Sequence, residues 1–586
     1  MLSSVLVSDF LCPAYYRGEY ERAFETEVAG VRMRAPMMKI HTVAAGGGSV
    51  LKFDGSRLRV GPDSAGANPG PACYRRGGPT GIENGIGLAV SDCNVMLGKL
   101  RPELFPSVFG PNMDLPLDKR VVTERFDEAT KRINEAFPDL ANKTALEVAD
   151  GFLRIAVEHM ALAIKDITTR RGIDATNAVL CCFGGAGGQH ACLVADELGM
   201  KSIFLHPYAG VLSAYGMGLA DIRSIQQSVV EHKLEEGMDI VLKSKFEELS
   251  ELATNELILQ GVDKASVSLK LKAQIRYEGT DSCLLTHWGS YDAVRADFEK
   301  RHRQQYGFVT DKALVCESIA VEASAPTGSI ETQELPKALK GHVLESRADV
   351  ECYTGGRLRP TSVYNRSEMY PGDTVHGPAI ITETTGTNII EPEWEARLTG
   401  LGDLVLTRTI PKKKEKAMGT KVDPITLEVF NNLFMAIAES MGSTLENVSY
   451  SVNIKERLDF SCALFDPEGS LIANAPHIPV HLGSMSESVK AIINGREGSM
   501  CVNDVYVTNA PYNGGTHIPD VTVITPVFSI EDHQCARPGS APKKPLFYVA
   551  SRGHHSEIGG ITPGSMPPFS KTIVDEGILI DDFKVL

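Results

Sequence analysis

Residues 178–199 read Ala-Val-Leu-Cys-Cys-Phe-Gly-Gly-Ala-Gly-Gly-Gln-His-Ala-Cys-Leu-Val-Ala-Asp-Glu-Leu-Gly. The pattern predicts a strand ending at Phe183, a glycine turn at Gly184–Gly188 and a helix from about His190. Such a unit constrains its surroundings strongly, because a strand feeding a helix needs a sheet to join and belongs to α/β architecture. The turn has two physical readings. Backbone N–H groups of a bare loop and a helix N-terminus present themselves to an anion, usually phosphate. Alternatively, glycine simply lets a helix pack close to its strand.

The rest of the first half fits an α/β module over 1–325. Thr144-Ala-Leu-Glu147 is a capping box. It opens a helix whose apolar positions are Val148, Phe152, Ile155, Met160, Ala163 and Ile167, with a stop expected at Gly172 after Arg170 and Arg171. Residues 267–277 alternate: Val267, Leu269, Leu271, Ala273, Ile275 and Tyr277 on one side, polar residues on the other, which predicts a strand with one wet face. A second amphipathic helix is expected near 235–260. From 326 to 410 short β-type runs are punctuated by Pro371-Gly-Asp and Gly377-Pro378, predicting a small β-rich domain. Residues 411–422 are polar, charged and aperiodic, and read as a linker, with Lys412–Lys414 solvated.

A new α+β module starts at 423, where Asp423 at the N-cap and Pro424 at N1 predict a helix with Leu427, Phe430, Phe434, Ile437, Met441 and Leu445 on one face. Beyond Ser449 the chain becomes rich in strands and loops up to residue 586.

Composition narrows the function. The chain of 586 residues is long enough for several domains, and its net charge of −15 disfavours nonspecific nucleic-acid or anionic-membrane partners. No apolar run approaches the about 20 residues that cross a bilayer. The 12 cysteines show no CxxC pair that would suggest zinc. With no basic, apolar leader at the N-terminus, a cytosolic protein with reduced thiols is expected.

His517-Ile-Pro-Asp520 followed by Arg552-Gly-His-His555 is a spacing that metal and acid/base sites use. Pro519 argues for an extended loop leading into a strand at Val521–Ile524. If that strand pairs antiparallel with Leu546–Ala550, His517, Asp520 and one of His554 or His555 meet on a single cation, with Mn²⁺, Zn²⁺ or Fe²⁺ suiting the donors. The alternative is that these imidazoles only satisfy buried backbone groups. His477 and His481 flank Pro479 and are weaker candidates. If a strand covers Arg457 and Asp459, the two share one face and could bind a substrate carboxylate and act as a base, or form a structural ion pair.

Several of these stretches resemble one family. Thr42-Val-Ala-Ala-Gly-Gly-Gly-Ser49, Val60 to Tyr74 and Cys182 to His190 resemble the hydantoinase A/oxoprolinase A module. Asn453 to Ser461, Asn474 to Gly483, Gly514 to Asp520 and Ser551 to Gly564 resemble the hydantoinase B/oxoprolinase B module. A and B modules fused in this order look like the ATP-dependent 5-oxoprolinases. The resemblance implies hydrolysis of 5-oxo-L-proline to L-glutamate coupled to ATP, with Mg²⁺, a monovalent cation and a homodimer in the cytosol. It also implies that the A module is of the actin/sugar-kinase-like class. Its nucleotide would lie on Gly184, Gly185, Gly187 and Gly188, and Gly46, Gly47 and Gly48 either line the same cleft or form a plain flexible turn. The family's Gly-Gly-Thr-x-Thr-Asp phosphate loops are absent here, and its B module runs further. The expectation is therefore a chain incomplete at both ends that hydrolyses ATP poorly alone, with a binding or regulatory role or hydantoin-type hydrolysis as alternatives.

Overall fold

The computed structural model describes residues 46–138, 142–168, 173–280, 283–306, 308–327, 334–338, 341–411, 424–449, 451–455, 457–475, 478–529, 544–563 and 567–586, and short strands within 4–38. The linker residues 412–422, Asp423, Gly172 and His477 lie outside the described residues. The chain divides into two compact units: residues 1–274, 285–298 and 316–429, and residues 275–284, 299–315 and 430–586.

The first unit is built on a seven-stranded mixed sheet, in the order Thr374–His376, Trp394–Leu398, Leu404–Arg408, Ser202–Leu205, Val179–Cys182, Ser4–Val7 and Ala14–Tyr16. Val179–Cys182 runs parallel to Ser202–Leu205 and to Ser4–Val7, and helix Gly187–Leu198 connects the first two. The segment expected as a separate β-rich domain divides between two sheets. Its strands Trp394–Leu398 and Leu404–Arg408 extend the α/β sheet through Ser202–Leu205, while Ala348–Thr354, Arg357–Asn365, Ala379–Glu383 and Gly386–Ile390 form a four-stranded sheet of their own.

Helix Ala145–Ile167 supplies the central layer of this unit. The capping box is formed, with the Thr144 hydroxyl accepting from the Glu147 N–H and Glu147 accepting from the Thr144 N–H. All six expected apolar positions of the helix are buried, packed with Leu180, Ile203 and Leu205 of the sheet and Trp394 and Leu406 beyond. Strand Ser268–Tyr277 buries Ala273, Ile275 and Tyr277 as the alternation requires, although Leu269 is exposed and Lys272 is buried.

The second unit contains a six-stranded antiparallel sheet in the order Leu471–Asn474, Phe460–Phe465, Phe547–His554, Asp520–Val527, Tyr506–Thr508 and Phe583–Lys584. Helices cover both faces. Met485, Val489 and Ile492 of helix Pro479–Gly495 pack on Ala463, Phe465, Ile524, Tyr548 and Ala550. Phe434, Ile437 and Ala438 of helix Pro424–Val448 pack on Leu464, Phe547 and Val549, and Met441 and Leu445 on Phe460 and Cys462. Strands enclosed on both faces read as continuous apolar runs, and Phe460–Phe465 is buried at every residue. The expected face of helix Pro424–Val448 needs correcting at its start. Leu427 and Phe430 are exposed, and Ile425 is buried instead, in the core of the first unit.

Two buried charges of the first unit give testable consequences. Lys99 Nζ lies 2.5 Å from Glu391 Oε1, with both side chains at most 5% exposed, and Thr354 donates its hydroxyl to the other Glu391 oxygen. Removing one partner leaves an uncompensated buried charge, so Lys99→Met should lower the unfolding free energy by about 3–5 kcal/mol, whereas Lys99→Met with Glu391→Leu should recover most of it. Urea denaturation of the three proteins measures this. Separately, burial and the neighbouring Glu197 push the Glu158 carboxyl from 4.5 up to about 8. The native state then holds a proton that the unfolded chain releases, so stability falls as pH rises from about 4.5 to 8. Glu158→Gln should raise the thermal midpoint at pH 9 and leave it nearly unchanged at pH 4.5; equal effects at both would refute the assignment.

Candidate functional site

The loop Gly514–Pro519 delivers the chain into strand Asp520–Val527, which pairs antiparallel with Phe547–His554 in a register that sets Asp520 directly opposite His554. The hairpin expected between Val521–Ile524 and Leu546–Ala550 is present and longer than expected. His554 Nδ1 lies 2.8 Å from Asp520 Oδ1, and His517 Nδ1 lies 3.0 Å from Asp520 Oδ2. The Thr516 hydroxyl donates to the same Oδ2 at 2.6 Å. One ligand atom from each of His517, Asp520 and His554 lies within 4.8 Å of the others, and among the described residues this is the one such group. Burial alone would raise the Asp520 carboxyl, but hydrogen bonds from His517, His554 and Thr516 more than offset it and hold it well below the usual carboxylate range. The hydrogen bond to Asp520 raises His554 against the opposing effect of burial.

His555 is outside this group of three. Its backbone N–H donates to the Pro519 carbonyl at 2.9 Å, and burial lowers its pKa. His481, a weaker candidate in the sequence, lies on helix Pro479–Gly495 at the edge of this group. It is buried, its Nε2 lies 3.6 Å from Asp459 Oδ1 and 3.8 Å from Asp520 Oδ1, and its Nδ1 lies 3.4 Å from the Ser461 hydroxyl.

The expectation of a strand over Arg457–Asp459 is corrected. Leu458 has φ of +53°, in the left-handed region, and the strand begins at Phe460. Arg457 is exposed while Asp459 turns toward His481, so the two residues do not share a strand face. Asp459 nevertheless joins the site, because its carbonyl accepts the His554 N–H at 2.9 Å and so continues the strand pairing by one residue.

In the first unit the glycine helix starts at Gly187, three residues earlier than expected, on an N-cap, Ala186, that makes no side-chain capping bond. Gly184 has φ of +95°, and its N–H donates to the Ala209 carbonyl at 2.7 Å, so this N–H is engaged within the fold. Gly188 is needed for packing, since a Cβ there would overlap the Asn388 side chain and approach the Thr387 carbonyl. Residues 185–187 form a half-exposed stretch in which the Gly187 N–H donates to the Gly184 carbonyl at 3.3 Å. Gly46, Gly47 and Gly48 lie beside it, because a Cβ on Gly47 would stand 3.8 Å from the Ala186 Cβ. That segment is pinned by bonds from Ser91 N–H to the Gly47 carbonyl and from Ala65 N–H to the Gly48 carbonyl, each 2.8 Å. Among the described residues no helix is long and apolar enough to cross a membrane.

With this geometry established, comparison with known proteins gives the class. The hydantoinase/oxoprolinase profile matches residues 13–226 and the hydantoinase B/oxoprolinase profile residues 423–586, so the chain belongs to the hydantoinase/oxoprolinase family. It is 41% identical to 5-oxoprolinase 1 of Arabidopsis thaliana over 97% of its own length and 44% of that protein. It is 40% identical to the 5-oxoprolinase of Saccharomyces cerevisiae and 39% to that of Dictyostelium discoideum, again over 97% of this chain and 44% of each relative. The chain thus spans less than half the length of these relatives. Its fold is similar to that of the ATP-dependent caprolactamase from Pseudomonas jessenii, with a TM-score of 0.58 at 23% identity over 70% of this chain and 58% of that one. It is also similar to nucleotide-free acetone carboxylase, with a TM-score of 0.52 at 20% identity over 69% and 58% of the two chains.

Two imidazoles and a carboxylate held on a rigid hairpin suit a borderline-hard divalent cation. Asp520→Asn should weaken Mn²⁺ or Zn²⁺ binding by more than the about 10–100-fold typical of residues that merely support a ligand. His555→Gln should leave binding intact. Calorimetric titration of the chelator-treated chain distinguishes the two, and equal losses would place His555 among the ligands.

Proposed function

We propose that this chain carries the catalytic modules of an ATP-dependent cyclic-amide hydrolase acting on 5-oxo-L-proline, with overall conversion of 5-oxo-L-proline, ATP and two waters to L-glutamate, ADP and phosphate. The observation that carries the reading is the identity of about 40% to 5-oxoprolinases across 97% of the chain, which spans both modules. In this reading the first unit is an actin/sugar-kinase-like module. Gly185–Gly187 and the adjoining Gly46–Gly48 hold the phosphates of ATP with Mg²⁺, and a monovalent cation assists. A cytosolic homodimer is the expected state.

His517, Asp520 and His554 would hold a divalent ion in the second unit; their donor types and their mutual reach within 4.8 Å fit one. Such an ion, when bound, acts as a Lewis acid toward an amide or phosphoryl oxygen. The remaining work falls to the chain. Thr516 donates to Asp520 and fixes one carboxylate oxygen, which orients that residue toward both imidazoles. In this reading Asp459, beside the buried His481, accepts a proton from the attacking water. In this reading Arg457, an exposed residue whose charge acts on His554, pairs with the carboxylate of 5-oxoproline.

The carboxylate distinguishes 5-oxoproline from hydantoin, which has none. A charge-assisted bond to Arg457 contributes about 1.5–3 kcal/mol, so the metal-loaded chain should bind 5-oxoproline roughly 10–100-fold more tightly than hydantoin. Arg457→Ala should erase that preference. Calorimetric binding of both compounds to both proteins is the test. A chain that prefers hydantoin, or whose preference survives Arg457→Ala, would refute the substrate assignment.

A further inference from the structure

The face of the sheet beneath helix Pro479–Gly495 carries two adjacent rows of polar side chains. The outer row is Asp459, His554 and Asp520. The inner row follows from the strand registers, which set Arg552 between Ser461 on one neighbouring strand and Thr522 on the other. Side chains two residues apart share a face, so Arg552 stands beside His554 and Thr522 beside Asp520.

Arg552 is fully buried, and its three assigned hydrogen bonds all go to neutral hydroxyls. Nε donates to Thr522 at 2.8 Å, Nη2 to Ser488 at 2.7 Å, and Nη1 to Ser484. Each serine directs its own hydrogen elsewhere: Ser484 to the His481 carbonyl at 3.1 Å, and Ser488 to the Gly514 carbonyl. Their lone pairs are thereby left facing the guanidinium. This one side chain therefore ties together four segments: its own strand with His554, the strand with Asp520, the helix with His481, and through Ser488 the loop that leads from Gly514 to Thr516 and His517.

A guanidinium with only neutral partners in a dry interior is unfavourable unless a buried anion compensates it. Asp520 is the carboxylate whose charge acts on Arg552 and favours its charged form against burial.

We propose that Arg552 is the positioning residue of the metal group: through its three hydroxyl partners it locks the loop with His517 and the strands with Asp520 and His554 to the helix that carries His481. The proposal rests on the reading above that His517, Asp520 and His554 hold a divalent ion. Lysine would not serve equally, because a planar fork of fixed N–H directions reaches three hydroxyls at once and a single ammonium does not.

The test compares the chelator-treated wild-type chain with Arg552→Gln, Arg552→Lys and the double variant Ser484→Ala with Ser488→Ala. Mn²⁺ affinity is read by calorimetry, site symmetry by the Mn²⁺ electron paramagnetic resonance spectrum, and folding by circular dichroism. Arg552→Gln should weaken Mn²⁺ by about 10–100-fold and alter the spectrum, as loss of an outer partner does. Arg552→Lys should regain part of the affinity but not the wild-type spectrum. The double variant keeps the charge, and it should alter the spectrum with a smaller loss of affinity. If Arg552→Gln folds and binds Mn²⁺ with the wild-type affinity and spectrum, the proposal is overturned. If it does not fold, a double variant indistinguishable from wild type overturns it. A wild-type chain that binds no Mn²⁺ would instead remove the metal reading itself, and this proposal with it.

Discussion

A slip of one residue between strands Asp520–Val527 and Phe547–His554 would turn Asp520 or His554 away from the other and toward the apolar side of helix Pro424–Val448. The second unit depends on preventing that slip. Its sheet is enclosed on both faces, and the two faces differ in kind. Alternate residues of Phe547–His554 send Phe547 and Val549 to one helix, and Tyr548 and Ala550 to the other. Because the strand period is two, the packing that holds Tyr548 and Ala550 under helix Pro479–Gly495 also delivers Arg552 and His554 to that same side. The apolar end of the face supplies burial, and its polar end supplies the site.

The same economy is seen in the first unit, where the glycine turn is held from several directions at once. The Ala209 carbonyl takes the Gly184 N–H, and Asn388 fills the space left by the absent Cβ of Gly188. Asn388 in turn donates to Glu383 at 3.2 Å, and Glu383 is paired at 2.6 Å with the buried Arg366, whose other N–H groups reach the carbonyls of Leu205, His206 and Gly402. Of the two readings that compete in sequence, the packing one is met at two residues of this loop, since a Cβ on Gly187 would crowd the Cys182 sulfur and one on Gly188 the Asn388 side chain. Gly185 to Gly187 keep their half-exposed position.

Local signals in the sequence carried the elements well. The capping box at Thr144, the alternation through Ala273 to Tyr277 and the hairpin that joins Asp520 to His554 are each local in origin, and each is present. The errors came where a distant partner overrode the pattern. Leu427 and Phe430 belong to the predicted apolar stripe but are exposed, because the first turn of that helix belongs to the first unit and buries Ile425 in that unit's own core. Arg457 and Asp459 were assigned a shared face that the left-handed backbone of Leu458 removes. His481 carried little weight in the sequence because nothing local marks its neighbours; only the packing of helix Pro479–Gly495 on the sheet brings it to Asp459 and Asp520.

What the sequence determined by itself was the family, the α/β and α+β character of the two modules and the grouping of His517 and Asp520 with one of His554 or His555, since these rest on motifs and on short-range periodicity; the strand register then selected His554. The tertiary structure decided which residues join that group and how. Ser461, Thr522 and Arg552 are separated along the chain by tens of residues, and each is an unremarkable polar residue within a strand. Their meaning comes from cross-strand register and from the helix above them, and register is a property of paired strands that no single strand contains.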